Sequence, residues 1–122
     1  MAQTCTWVGG TSTSWSLDAN WSGSATNVHP VATDAVIFAN AVNCVIDHAS
    51  AACASIDCTG YTGDLSMTQS ITTTGNVTFV AGMTFTPGTQ TWTSTGGTLI
   101  PAGKTFYDRT KSGSNDITIS TS

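Results

Sequence analysis

The chain is expected to be all-β, wound as a short parallel β-helix (a β-solenoid) of about three rungs. Three observations lead there. First, the composition suits a pleated surface: Thr and Ser supply 38 of the 122 residues, Glu is absent, and Leu occurs only three times. Helix faces favour Ala, Leu, Glu and Lys, whereas β-branched and aromatic residues pack on strands. Second, a Thr followed by a large apolar residue recurs at Thr78-Phe79, Thr84-Phe85, Thr91-Trp92, Thr98-Leu99 and Thr105-Phe106, in steps of six, seven, seven and seven. Third, Ala81-Gly82-Met83-Thr84-Phe85 returns three steps of seven later as Ala102-Gly103-Lys104-Thr105-Phe106. A seven-residue step holds one short strand and one corner, and three steps close a rung of about 21 residues stacked at the ~4.8 Å spacing of paired strands.

Taken in order, residues 1–43 differ in texture from the rest. Trp7, Trp15 and Trp21 stand in a Gly/Ser/Thr/Asn setting that ends in an apolar strand at 35–38. Two roles are open to these tryptophans. They can plug the end of the coil, whose first unit has no neighbour to cover it, or they can offer flat faces to a sugar or a partner protein. A helical turn is expected near 16–21, with Ser16 as its cap.

The coil proper is expected over 44–122, making one domain with the 1–43 cap. Strands are expected at 44–47, 53–57, 64–67, 70–73, 76–80, 83–86, 90–94, 98–100, 104–107 and 116–120. Gly, Pro87 and Pro101 punctuate them. Residues 49–54 have a helix-permissive composition between strand-like flanks and read as a loop. Asn-Gly and Asp-Gly are absent, which argues against a meander of tight hairpins. Phe79, Phe85, Trp92, Leu99 and Phe106 are expected inside, with Phe85 and Phe106 one above the other and the threonines turned outward. A β-sandwich of short strands is the alternative architecture.

Chemistry is sparse. The formal charge is −4, and the three basic residues, Lys104, Arg109 and Lys111, all fall in the last twenty positions. That is no phosphate-binding stripe, so nucleic acid is not an expected partner; these cations mark instead an end that could meet an acidic partner. No apolar run reaches the ~20 residues of a membrane span, and the opening residues lack a signal-peptide pattern. Cys5, Cys44, Cys53 and Cys58 match no zinc spacing; they read as small buried hydrophobes, with a Cys44–Cys53 or Cys44–Cys58 bridge as the alternative. All seven acids are Asp. Asp47 and Asp57 could be neighbours, but isolated Asp at a strand end ordinarily forms turns. His29 and His48 lack metal-ligand spacing, and neither a nucleophile elbow nor a phosphate loop is present. No catalytic, cofactor or metal residue is therefore assigned, and an enzyme is not expected.

The segments TWVGGTSTSWSLDANWSG, HPVATDAVIF and CVIDHASAACASIDCTGYTGDLSM, followed by the repeat over 75–108, resemble β-helical passenger-type and phage-encoded virion structural proteins. The resemblance covers about Thr6 to Asp108. It implies a virion structural protein made in the host cytoplasm, most simply a capsid decoration (cement) subunit seated as a trimer on the major capsid protein or another virion protein. A tail fibre, spike or carbohydrate-binding adhesin is the alternative. Trp7, Trp15, Trp21, Lys104, Arg109 and Lys111 are the candidate partner or glycan contacts.

Overall fold

The computed structural model describes residues 3–23, 29–111 and 118–119, with the strands at 108–111 and 118–119 described by their backbone alone. In chain order the strands are β1 Thr4–Trp7, β2 Trp21–Ser22, β3 Ala35–Ile37, β4 Cys44–Ile46, β5 Ala51–Cys53, β6 Ser55–Asp57, β7 Asp64–Met67, β8 Ile71–Thr73, β9 Val77–Thr78, β10 Thr84–Thr86, β11 Thr91–Ser94, β12 Thr98–Ile100, β13 Asp108–Lys111 and β14 Thr118–Ile119. They stack into three sheets. Sheet A runs β14-β12-β9-β6-β3-β1-β2, sheet B β10-β7-β4, and sheet C β13-β11-β8-β5. From β3 to β12 the chain visits A, B and C in turn, and among the described residues every strand pairing except β1 with β2 is parallel. This is a β-solenoid of about three turns. The parallel ladders exclude the sandwich, whose strands would run antiparallel.

The period is the one the repeat implied. Ile56 lies beside Val77, Cys44 beside Leu65 and Ile71 beside Trp92, each pair separated by one full rung of three seven-residue steps. Apolar residues alternate inward along each strand: Phe79, Phe85, Trp92 and Leu99 are buried, and Phe106 is half-buried against them. The Phe85 and Phe106 rings meet at 4.9 Å between centroids. Thr84, Thr86 and Thr105 face solvent, but Thr73 and Ser94 point inward and are buried. Thr73 is turned in because its Oγ1 accepts the Trp92 indole N–H at 3.1 Å.

Corners are fastened from one rung to the next by side chains. Asn43, Ser70 and Asn76 each stand immediately before a strand. Each accepts a hydrogen bond from the backbone N–H at the start of the strand stacked above: Asp64 N to Asn43 Oδ1, Thr91 N to Ser70 Oγ, and Thr98 N to Asn76 Oδ1, all at 3.0 Å. The corner entering sheet A is tighter still. Gly97 has φ +79°, and a Cβ there would run into the Gly75 carbonyl group. Gly97→Ala is expected to lose about 3 kcal/mol, combining left-handed strain with overpacking against fixed backbone. A urea midpoint within experimental error of the parent's would contradict this.

Several expected elements differ. The expected strand at 53–57 is two strands, β5 and β6, with the corner at Ala54, and residues 51–53 are strand rather than loop. Pairing with Ile71 and Thr72 places Ala51 and Ala52 there, whatever their own preference. The 3₁₀ turn is Asp18–Asn20 with Leu17, not Ser16, at its cap position and no side-chain cap bond. The expected strand at 104–107 does not form. Ala102 (φ +50°) and Gly103 (φ +79°) make a turn closed by Lys104 N to Pro101 O at 2.9 Å. At the matching Ala81-Gly82 neither residue is left-handed, so the repeated motif leaves its second turn in a different direction. The chain then reaches sheet C early: Thr91 pairs with Asp108, short of the position 112 that a full rung would have brought there. Of the expected strand at 116–120, Thr118–Ile119 is formed and the remainder lies outside the described residues. The ladder of sheet A also runs back across residue 43, since β1 pairs with β3 and β3 with β6.

Candidate functional site: the two ends of the coil

Trp7, Trp15 and Trp21 are at most 3% exposed. Trp21 meets Trp7 and Trp15 edge-to-face at 5.1 and 5.0 Å, and Phe38 closes the group at about 6 Å from each. Trp7 Nε1 donates to Val42 O at 3.1 Å and Trp21 Nε1 to Trp15 O at 2.7 Å. Among the described residues Trp15 Nε1 has no hydrogen-bond partner although it is buried, a cost of about 1–3 kcal/mol that the packing of the cluster must offset. These rings plug the coil. They present no face to a sugar, so glycan contact through Trp7, Trp15 or Trp21 does not fit this geometry.

The backbone edges of sheets A and B at this end are covered as well, while among the described residues β5 stays the outer strand of sheet C. β2 lies antiparallel on the outer side of β1, with Trp7 opposite Trp21. In sheet B the segment around Ser14 bridges to Val45, and the fully buried Asn20 side chain closes its outer edge. Asn20 Oδ1 accepts from Thr11 N and Ser12 N, both at 2.9 Å. Its Nδ2 donates to Ser12 Oγ at 3.0 Å and Ser14 O at 2.9 Å. An asparagine in a Ser/Thr-rich loop reads as surface in the sequence; its role emerges only from the fold.

The carboxylates serve the same cap. Asp47 Oδ2 accepts from Ser14 Oγ at 2.5 Å and Oδ1 from Ser16 N at 3.0 Å. Asp57 holds its own corner through Thr59 N and Oγ1. The two acids lie at strand ends in different sheets, Asp47 committed to the cap segment at Ser14 and Ser16 and Asp57 to its own turn. Buried Asp34 accepts from Gln3 N and Val31 N, and the Cys5 thiol points at it at 3.7 Å. Asp18 meets His29 Nδ1 at 2.6 Å, and the His29 and His48 rings lie 4.7 Å apart. Among the described residues no group of three or more His, Cys, Asp or Glu is placed to hold a metal ion.

Burial raises the Asp47 pKa, but the hydrogen bonds from Ser14 and Ser16 outweigh it and hold the carboxyl below its ordinary 3.8. At Asp18 the hydrogen bond from His29 does the same. A lowered folded-state pKa gives stability that is complete above the unfolded value and lost as pH falls through the folded one. Thermal stability is therefore expected to drop as pH falls below about 4, with Asp47→Asn showing a shallower drop in a melting series from pH 5 to 2. Equal slopes for parent and variant would remove Asp47 from the account.

The opposite end is open. Among the described residues, sheets A and C continue past the third rung through β12, β14 and β13, whereas sheet B stops at β10. Beside β10 lies a groove of about 650 Å³ walled by residues 83–88 and 103–107. Phe85 and Phe106 form part of its lining, Tyr107 is 63% exposed, and Lys104 is the only charged residue in that wall among the described residues. Lys104 Nζ donates to Ala81 O at 3.3 Å. Arg109 and Lys111 belong to β13 by their backbone, and their side chains lie outside the described residues.

Fold and ends together define a β-solenoid module whose core is plugged by tryptophans at one end and, among the described residues, bordered by an uncovered groove at the other. No protein-family model, no curated protein and no solved structure matches the chain.

Proposed function

We propose that the chain is a structural subunit of a virion, a phage capsid decoration or cement protein that docks through its C-terminal end. The observation that carries this reading is the inequality of the two ends. One is closed by a tryptophan plug, β2 and Asn20, and the other, among the described residues, leaves a strand edge and an apolar groove uncovered. A solenoid end without a neighbour lacks burial that a partner can supply. The virion setting comes from the sequence resemblance, and a weakly charged Thr/Ser sheath suits a surface tiled in many copies. The partner is then the major capsid protein or another virion protein, with a trimer as the expected assembly. The glycan-binding alternative loses its support with the inward-facing tryptophans.

Mass spectrometry and imaging of purified particles test the reading. The chain should be present at a fixed copy number on the particle surface; particles that lack it overturn the proposal. Raised salt should lower occupancy of the parent, and Arg109→Ala should lower it already at low salt and flatten its salt dependence; unchanged occupancy would remove that contact.

A further inference from the structure

Phe85 has both of its backbone hydrogen-bonding groups on the open edge. Thr84 N donates to Gly63 O at 3.0 Å, and Thr84 pairs with Asp64 and Phe85 with Leu65. In a parallel ladder the N–H and C=O of one residue both face the same neighbouring strand, and those of the next residue face the other way. Thr84 and Thr86 are thus bonded to β7, while the Phe85 N–H and C=O point into the groove. Among the described residues no strand lies there. Unpaired edge groups beside apolar side chains are the makings of a strand-addition site.

The rest of the molecule narrows the occupant. A second copy entering by its N-terminal end would meet β2 and the Asn20-braced segment in sheets A and B, which leaves it only the β5 edge of sheet C to pair with. A second copy entering by its C-terminal end would bring the Lys104 of one groove against that of the other. Among the described residues no carboxylate lines the groove, and Lys104 does. The Phe106 ring already lies over Phe85, so the residue that an added strand turns inward there must be small.

We propose that the edge of β10 binds an extended acidic segment of another protein, paired through the Phe85 N–H and C=O, with a small residue over Phe106 and a carboxylate at Lys104. This rests on the docking role given to the C-terminal end and supplies the chemistry of the partner segment.

The test uses the whole chain and two synthetic peptides. Ac-Asp-Thr-Val-Ala-Val-Thr-Asp-amide is the probe, and the same peptide with both Asp replaced by Lys is the control. The acidic peptide should bind at least tenfold more tightly than the basic one and slow hydrogen exchange of the Phe85 amide at least tenfold. Lys104→Glu should reverse the charge preference. Tyr107→Ala, at an exposed position, should weaken binding without lowering the melting temperature. Absence of binding at millimolar peptide, an unprotected Phe85 amide, or equal binding of both peptides overturns the proposal. Particle occupancy separates the two readings. A chain absent from particles that still binds the acidic peptide keeps this site and loses the virion role. A chain on particles at the same occupancy with Lys104→Glu, and blind to the peptide, keeps the virion role and loses this site.

Discussion

Trp92→Ala is expected to cost about 3–5 kcal/mol, the range for removing a fully buried large aromatic. Trp92 is the hub of the C-terminal half of the core: its ring lies 5.7 Å from Phe79, 5.9 Å from Phe85 and 5.6 Å from Phe106. Its loss also leaves the buried Thr73 hydroxyl without the indole donor whose hydrogen bond it now accepts. Neighbouring rings are held by their own rungs and cannot collapse far into the gap, which places the cost toward the upper end. Trp92→Phe should be milder, retaining edge-to-face packing while losing the hydrogen bond. Urea unfolding of the two variants checks the order; an alanine variant as stable as the phenylalanine variant would refute it.

Alkali should be the second severe challenge. Cys5, Cys44, Cys53 and Cys58 are buried thiols, and neither the Cys44–Cys53 nor the Cys44–Cys58 bridge forms. Burial, assisted by nearby Asp34, pushes Cys5 from 9.0 up to about 11. Burial likewise pushes Cys44, Cys53, Cys58 and the Tyr61 hydroxyl upward. A raised folded-state pKa means stability that is complete below the unfolded value and lost as pH rises toward the folded one. Above pH 9 each buried thiol should therefore withdraw on the order of 1 kcal/mol per pH unit. Several together are enough to unfold a domain of ordinary stability near pH 10–11. Urea midpoints under reducing conditions at pH 7.5, 9 and 10 give the slope, and Cys53→Ala should flatten it by about one proton. A midpoint independent of pH across that range would contradict the account. At neutral pH the same thiols should resist aromatic disulfide reagents until the chain is unfolded.

The repeat in the second half was legible because period and hydrophobicity agree there. The steps at Phe79, Phe85 and Trp92 bury their aromatics, and the return of Phe85 at the half-buried Phe106 one rung later is a real contact. The first strand was hidden because Cys5 pairs with Val36, a separation well beyond one rung. The intervening stretch includes a 3₁₀ turn and β2, which break the period. Ala51–Cys53 was hidden because alanine has no strand preference and the ladder alone assigns it. The failure at 104–107 is instructive in the other direction. An apparent repeat of Ala81-Gly82 carries left-handed angles at Ala102 and Gly103 that the letters do not betray. The groove beside β10 depends on that same departure, so it could not be read from a motif whose repetition implied another strand. The tryptophan plug was one of two readings that the sequence left open, and packing decides between them.

The side-chain fasteners at Asn43, Ser70 and Asn76 have a mechanical consequence. Each ties a strand to the rung before it, so the coil behaves as a stack of linked loops with nearest-neighbour coupling. Under tension such a stack yields where a layer is held from one side only. Among the described residues β10 in sheet B is such a layer at the C-terminal end, so unravelling that starts there is expected to run backward toward the tryptophans rung by rung.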